Sequence, residues 1–263
     1  MEIKKLLEEL DALYETKTDD EIEAWLTAKC AELDAEAPAE RHGRSALYNE
    51  LGGFYRARGV YDKGEAAFLK AKDILEEDFF EEVELPASAC SSCSCCSCVD
   101  DGAAGSPDEL VKTKILTNCR DSLDYATTLN NLAGLYRLCG QLDRSLAMFD
   151  EARAVYETEG GAPADVYASC LSNKGLVYLD MREADRAMEL FSQALALLEG
   201  AGYEGAALGA TYSNMAFADI IKGDNAAAGE KFRIAAEHFL KANGADDEGY
   251  RYCSAMARKL GAE

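Results

Sequence analysis

LNNLAGLYRLCGQLDRSLAMFDEA, residues 129–152, decides how the chain folds. Leu129, Leu132, Ala133 and Tyr136 recur at i, i+3, i+4 and i+7, so they share one face of a helix. Gly140 follows, where a tight turn wants a residue that tolerates positive φ. Ser145, Phe149 and Ala152 then mark a second helix. Small residues on both helices permit close approach, and the aromatics fill the space between them.

The same grammar appears in YNELGGFYRARGVYDKGEAAFLKA, residues 48–71, and it returns twice more. The four copies are Ser45–Glu76, Ala126–Glu157, Ala168–Glu199 and Gly209–Leu240. The last two begin 42 and 41 residues after their predecessors. A fixed period in this range predicts a stacked solenoid, in which each unit touches its neighbours and buries a face it cannot bury alone. Core positions are Tyr48, Leu51, Gly52, Tyr55, Gly64, Phe68 and Ala71 in the first copy. In the last two they are Leu171, Gly175, Tyr178, Ala187, Phe191 and Ala194, then Tyr212, Met215, Ala216, Ala228, Phe232 and Ala235. Hydrophobic content of 48% suffices for such a core, and only four prolines in 263 residues suit an all-α chain.

Residues 1–44 read as a divergent helical pair, 45–80 as a repeat, 81–120 as a cysteine-rich insertion, 121–240 as three repeats and 241–263 as a C-terminal cap. Within the insertion, residues 86–107 read as a long loop, with a helix expected at Asp108–Cys119. Glu248–Leu260 is expected to form the cap helix.

The motif resembles the tetratricopeptide repeat family, and ATTLNNLAGLY, from Ala126, resembles its longer-period variety in kinesin light chains. The resemblance implies a right-handed superhelix of antiparallel helix pairs whose concave groove holds other protein chains. Departures are visible. Lys174 stands where leucine is usual and Asp219 where an aromatic is usual. Glu76, Glu157, Glu199 and Leu240 stand where each repeat normally ends in proline.

A formal charge of −22 argues against nucleic acid, which binds Lys and Arg, and against an anionic membrane surface. The leading MEIKKLLEELDALYE is amphipathic and acidic rather than a signal segment, and a cytoplasmic location is expected. No phosphate-binding glycine loop, nucleophile elbow or HExxH occurs, and His42 and His238 stand apart. The expectation is a protein that is not an enzyme.

Two constellations remain. Asn131, Asn173 and Asn214 hold one repeat position in three successive units. The resemblance places them on the groove, bonding the backbone of an extended peptide, and support of neighbouring helices is the other reading. Three amide bonds would contribute about 2–4 kcal/mol net. Arg56, Asn130, Arg137, Leu176, Leu179, Phe217 and Ile220 should line the same groove. The arginines would meet carboxylates there, and Leu176, Phe217 and Ile220 would form an apolar pocket, unless the cap helix folds over them. Cys90, Cys93, Cys95, Cys96 and Cys98 form the second constellation. Thiolates this dense favour Zn, Cu(I) or an Fe–S centre and resemble metallothionein segments, although a loop without defined role, redox pairing and lipid attachment stay open.

Overall fold

The computed structural model describes residues 3–36, 40–77, 79–86, 110–117, 122–158 and 161–262. They form helix pairs α1 (Ile3–Thr16) and α2 (Asp19–Glu36), α3 (Arg41–Ala57) and α4 (Tyr61–Glu76), and α5 (Leu123–Leu138) and α6 (Leu142–Tyr156). Then come α7 (Ala164–Asp180) and α8 (Ala184–Gly200), α9 (Ala206–Lys222) and α10 (Asn225–Asn243), and a single α11 (Glu248–Lys259). The solenoid expected from the period is present, one antiparallel pair per unit.

Four of the five units close on one phenylalanine. Phe68, Phe149, Phe191 and Phe232 are all 0% exposed. Each comes from a second helix and meets a small residue on the first. A Cβ at Gly52 would fall 2.6 Å from the Phe68 ring, and one at Gly175 would overlap the Phe191 ring. The turn between the helices is left-handed in all four copies. Gly59, Gly140 and Gly223 have φ of 72°, 72° and 83°. Arg182 occupies the equivalent place with φ 64° and bears the steric cost that glycine avoids.

Successive first helices pack on one another, α1 on α3, α3 on α5, α5 on α7, α7 on α9 and α9 on α11. Each second helix packs instead on the first helix that follows it. The first helices are therefore the tighter, inner layer, and the second helices splay on the outside. Clefts of about 220 Å³, floored by Leu132 between α4 and α6, and about 350 Å³, floored by Leu171 between α6 and α8, mark that splay.

The insertion differs from expectation. The helix expected at Asp108–Cys119 is replaced by β2 (Leu110–Thr117), antiparallel to β1 (Phe79–Pro86). LVKTKILT alternates, and Val111, Thr113, Ile115 and Thr117 are all β-branched, which favours a strand over a helix. The register sets Glu82 opposite Lys114 and Glu84 opposite Lys112. Pro86 pairs with Leu110 at the end of the ladder. Cys90, Cys93, Cys95, Cys96 and Cys98 lie outside the described residues.

Candidate functional site

The inner layer is where the amide row falls. Asn131, Asn173 and Asn214 sit on α5, α7 and α9, each half-buried. The row is not free-standing. Asn131 Nδ2 donates to Asn49 Oδ1 at 3.5 Å, and Asn173 Nδ2 donates to Asn130 Oδ1 at 3.3 Å. Asn49 Nδ2 in turn donates to Thr128 Oγ1 at 2.7 Å. Each bond joins one unit to the next, so the amides fasten the wall while Asn131 and Asn173 keep a carbonyl oxygen without a partner among the described residues. Asn214 makes no hydrogen bond within them, because Ser172 stands where Asn49 and Asn130 stand in the earlier units. Peptide contact and structural support, read from the sequence as alternatives, are thus compatible at different atoms of one side chain.

The arginines are engaged. Arg56 Nη1 donates to the Asn131 carbonyl oxygen at 3.4 Å, its guanidinium lies 5.8 Å from the centre of the Phe68 ring, and burial lowers its pKa. Arg137 pairs with Asp180 at 2.9 Å. Of the basic stretch expected toward the N-terminal half, Arg137 is neutralised by the next unit, and Arg56 is held by a backbone carbonyl of the next unit. Nearby, Glu50 occupies the row's position in the second unit. The surrounding wall strips water from it and Asp11 adds a second negative charge, so its carboxyl sits above the ordinary value. Beside Glu50, Gly53 leaves an opening: a Cβ there would meet nothing within 4 Å.

Toward the C-terminal end the wall fills. Leu176 and Phe217 pack in one cluster with Leu179 and Met215. The open pocket expected at Phe217 and Ile220 is taken by α11. Tyr252 stacks on Phe217 with centroids 6.3 Å apart, and Phe217 meets Phe232 edge-on at 5.3 Å. Ile220 packs against the cluster containing Cys253 and Ala257. The cause is repeat phase. Cys253 and Ala257 are spaced like Leu171 and Gly175, so α11 occupies the place of one more first helix.

Two of the four missing prolines, at Glu76 and Glu157, acquire an explanation the sequence did not disclose. Glu76 Oε1 accepts from the Tyr125 hydroxyl at 2.9 Å and Glu157 Oε1 accepts from the Tyr167 hydroxyl at 2.5 Å. A cation one turn earlier completes each latch, Lys72 on Glu76 at 2.7 Å and Arg153 on Glu157 at 2.8 Å. Tyr167 and Arg153 together hold the Glu157 carboxyl below its ordinary value. Asp34 does similar work earlier, accepting from Arg44 at 2.9 Å and Tyr48 at 2.8 Å. Burial pushes its carboxyl up, and the bonds from Tyr48 and Arg44 bring it net below the usual value. Between α8 and α9 Leu198 and Leu208 pack together, and the exposed Lys222–Asp185 pair at 2.8 Å joins the other ends of the two helices.

The substitutions at Lys174 and Asp219 are likewise satisfied, Lys174 by Asp150 and Asp219 by Lys231. Burial pushes the thiols of Cys30 and Cys170 up to about 12, which makes them inert apolar fillers rather than nucleophiles. Among the described residues no group of three His, Cys, Asp or Glu side chains is arranged to hold a metal ion, and no helix is long and apolar enough to cross a membrane.

Residues 124–200 match the sequence model of the tetratricopeptide repeat. That stretch is the two helix pairs α5–α6 and α7–α8. No curated protein matches the chain. Among solved structures, the chain is similar to BtubC (BKLC) from P. vanneervenii, with 18% identity, a TM-score of 0.64, and 94% of this chain and 84% of that one covered. A putative kinesin light chain from Podosopora anserina, described as having nearly identical TPR-like repeats, aligns at 13% identity and TM-score 0.55, covering 86% and 87%. The apo form of RapI aligns at 12% identity and TM-score 0.59, covering 92% of this chain and 54% of that one. At these identities the likeness is one of fold.

Proposed function

We propose that the chain is a non-catalytic scaffold that holds an extended segment of another protein along its inner wall. The observation that carries this is the amide row, which lies in one layer on three successive first helices and retains unsatisfied hydrogen-bonding groups. Asn131, Asn173 and Asn214 contact the ligand backbone. Glu50, with Asp11 beside it and Gly53 open below it, receives a cationic side chain, and the overall charge of −22 draws a basic ligand in. Leu176 supplies the apolar contact, because Phe217 and Ile220 are covered by α11. Replacing all three asparagines by alanine, in a peptide-display selection against the purified chain, is expected to leave helicity by circular dichroism intact and to abolish enrichment. Unchanged enrichment of the same peptides would remove the inner wall from the proposal.

A second reading rests on the insertion. The β1–β2 ladder pairs Pro86 with Leu110, the residues that flank the stretch of sequence carrying five cysteines, whose density favours a polynuclear thiolate centre. Cys90, Cys93, Cys95, Cys96 and Cys98 would bind Zn or Cu(I), or hold an Fe–S centre. Elemental analysis of protein purified under reducing conditions, after offering Zn and Cu(I), tests the soft-metal form. Metal at well under one atom per chain would dismiss it.

A further inference from the structure

The exposed face of α11 is the opposite of the protein that carries it. The helix holds Arg251, Arg258 and Lys259 against one carboxylate, Glu248, on a chain of net charge −22. Most cations in the solenoid are paired with a carboxylate, yet none of these three is, among the described residues. Arg251 and Arg258 donate to backbone carbonyls, those of Asp246 and Ser254, and Arg251 lies near enough to Asp247 to help hold its carboxyl down without forming an ion pair. Between them lie Tyr252, 45% exposed despite its stacking on Phe217, and the small, exposed Ala255. A cationic stripe with an aromatic anchor and a small residue at its centre is suited to receiving another helix at close range.

At the far end of the array α1 presents the complement. Glu8, Glu9, Ala12 and Glu15 are all exposed on one face, and the three carboxylates form no ion pair among the described residues. We propose that the chain associates head to tail, the α11 stripe of one copy docking against the α1 stripe of the next. Set antiparallel with Ala255 against Ala12, the two helices place Arg258 and Lys259 opposite Glu9 and Glu8. The same register places Arg251 and Tyr252 beside Glu15. Lys4 and Lys5 fall beyond the end of α11 in that register and do not oppose it. Like-charged stripes exclude the symmetric alternatives, α11 on α11 and α1 on α1. The contact is heterologous, so it propagates from copy to copy unless a ring closes.

Sedimentation velocity of the whole chain over a concentration series tests this without any ligand. At about 0.01 M salt, where charges act over about 30 Å, the mean mass is expected to climb with concentration; at about 1 M, where they act over about 3 Å, it should return to that of one chain. Arg258→Glu with Lys259→Glu, and separately Glu8→Lys with Glu9→Lys, should each stay single at low salt, with helicity unchanged. The chain carrying all four changes restores opposite charge and should associate again. A wild-type chain that stays single at low salt overturns the proposal. So does association that persists in either pair of changes, or a folded fourfold variant that remains single.

Discussion

Gly52 and Gly53 are neighbours in α3, and they test the packing argument because only one of them faces a ring. Alanine in place of either gains about 1 kcal/mol of helix propensity. At Gly53 nothing opposes the gain, since the added Cβ meets no atom within 4 Å. At Gly52 the Cβ lands 2.6 Å from Cδ1 and Cε1 of Phe68, which is 0% exposed and has no room to retreat. Overpacking of this kind costs about 1–3 kcal/mol. Gly53→Ala should therefore stabilise by about 0.5–1 kcal/mol, and Gly52→Ala should fall about 1–3 kcal/mol below it. Urea denaturation followed by circular dichroism reads the difference as a shift in midpoint at constant slope. Equal midpoints for the two variants would refute the claim that Gly52 is present for close approach. Gly53→Ala has a further use. It raises the floor of the wall beside Glu50, so it should weaken peptide capture while stabilising the fold.

Arg182→Gly should stabilise the array by about 1 kcal/mol, because φ of 64° is strained for arginine and free for glycine; calorimetry would show a raised transition. The Glu157 latch predicts acid sensitivity. Its folded pKa is depressed, so its contribution is present above the ordinary carboxylate value of about 4.3 and is lost as pH falls through the folded value. Glu157→Gln should therefore lower the melting temperature at neutral pH, and wild type and variant should converge as pH falls below the folded value. Tyr167→Phe should reproduce part of that loss, since the hydroxyl contributes one of the two bonds that hold the carboxylate.

The parts of the fold visible in the sequence are those written within one unit. Phe68, Phe149, Phe191 and Phe232, and the turn glycines, announce themselves by spacing, because each acts on residues less than a repeat away. What joins units was harder to see. Tyr125 and Glu76 are 49 residues apart, and neither belongs to the repeat consensus. Arg56 and Arg137 stand on first helices, and their positions alone do not reveal that Asn131 and Asp180 answer them. The covering of Phe217 by α11 was legible in principle. Cys253 and Ala257 keep the phase of the array, and a search for one more first helix would have found them. The β1–β2 ladder is obscured in the sequence by the Ser- and Cys-rich stretch between its strands, although the alternation in LVKTKILT marks β2.

The joints share a mechanical consequence. After α2, α4 and α6 a carboxylate latch lies over apolar packing, whereas between α8 and α9 the packing is joined by an exposed ion pair that contributes little. Acid should therefore loosen the first three joints before the last, and the array would lose its set curvature from the N-terminal end.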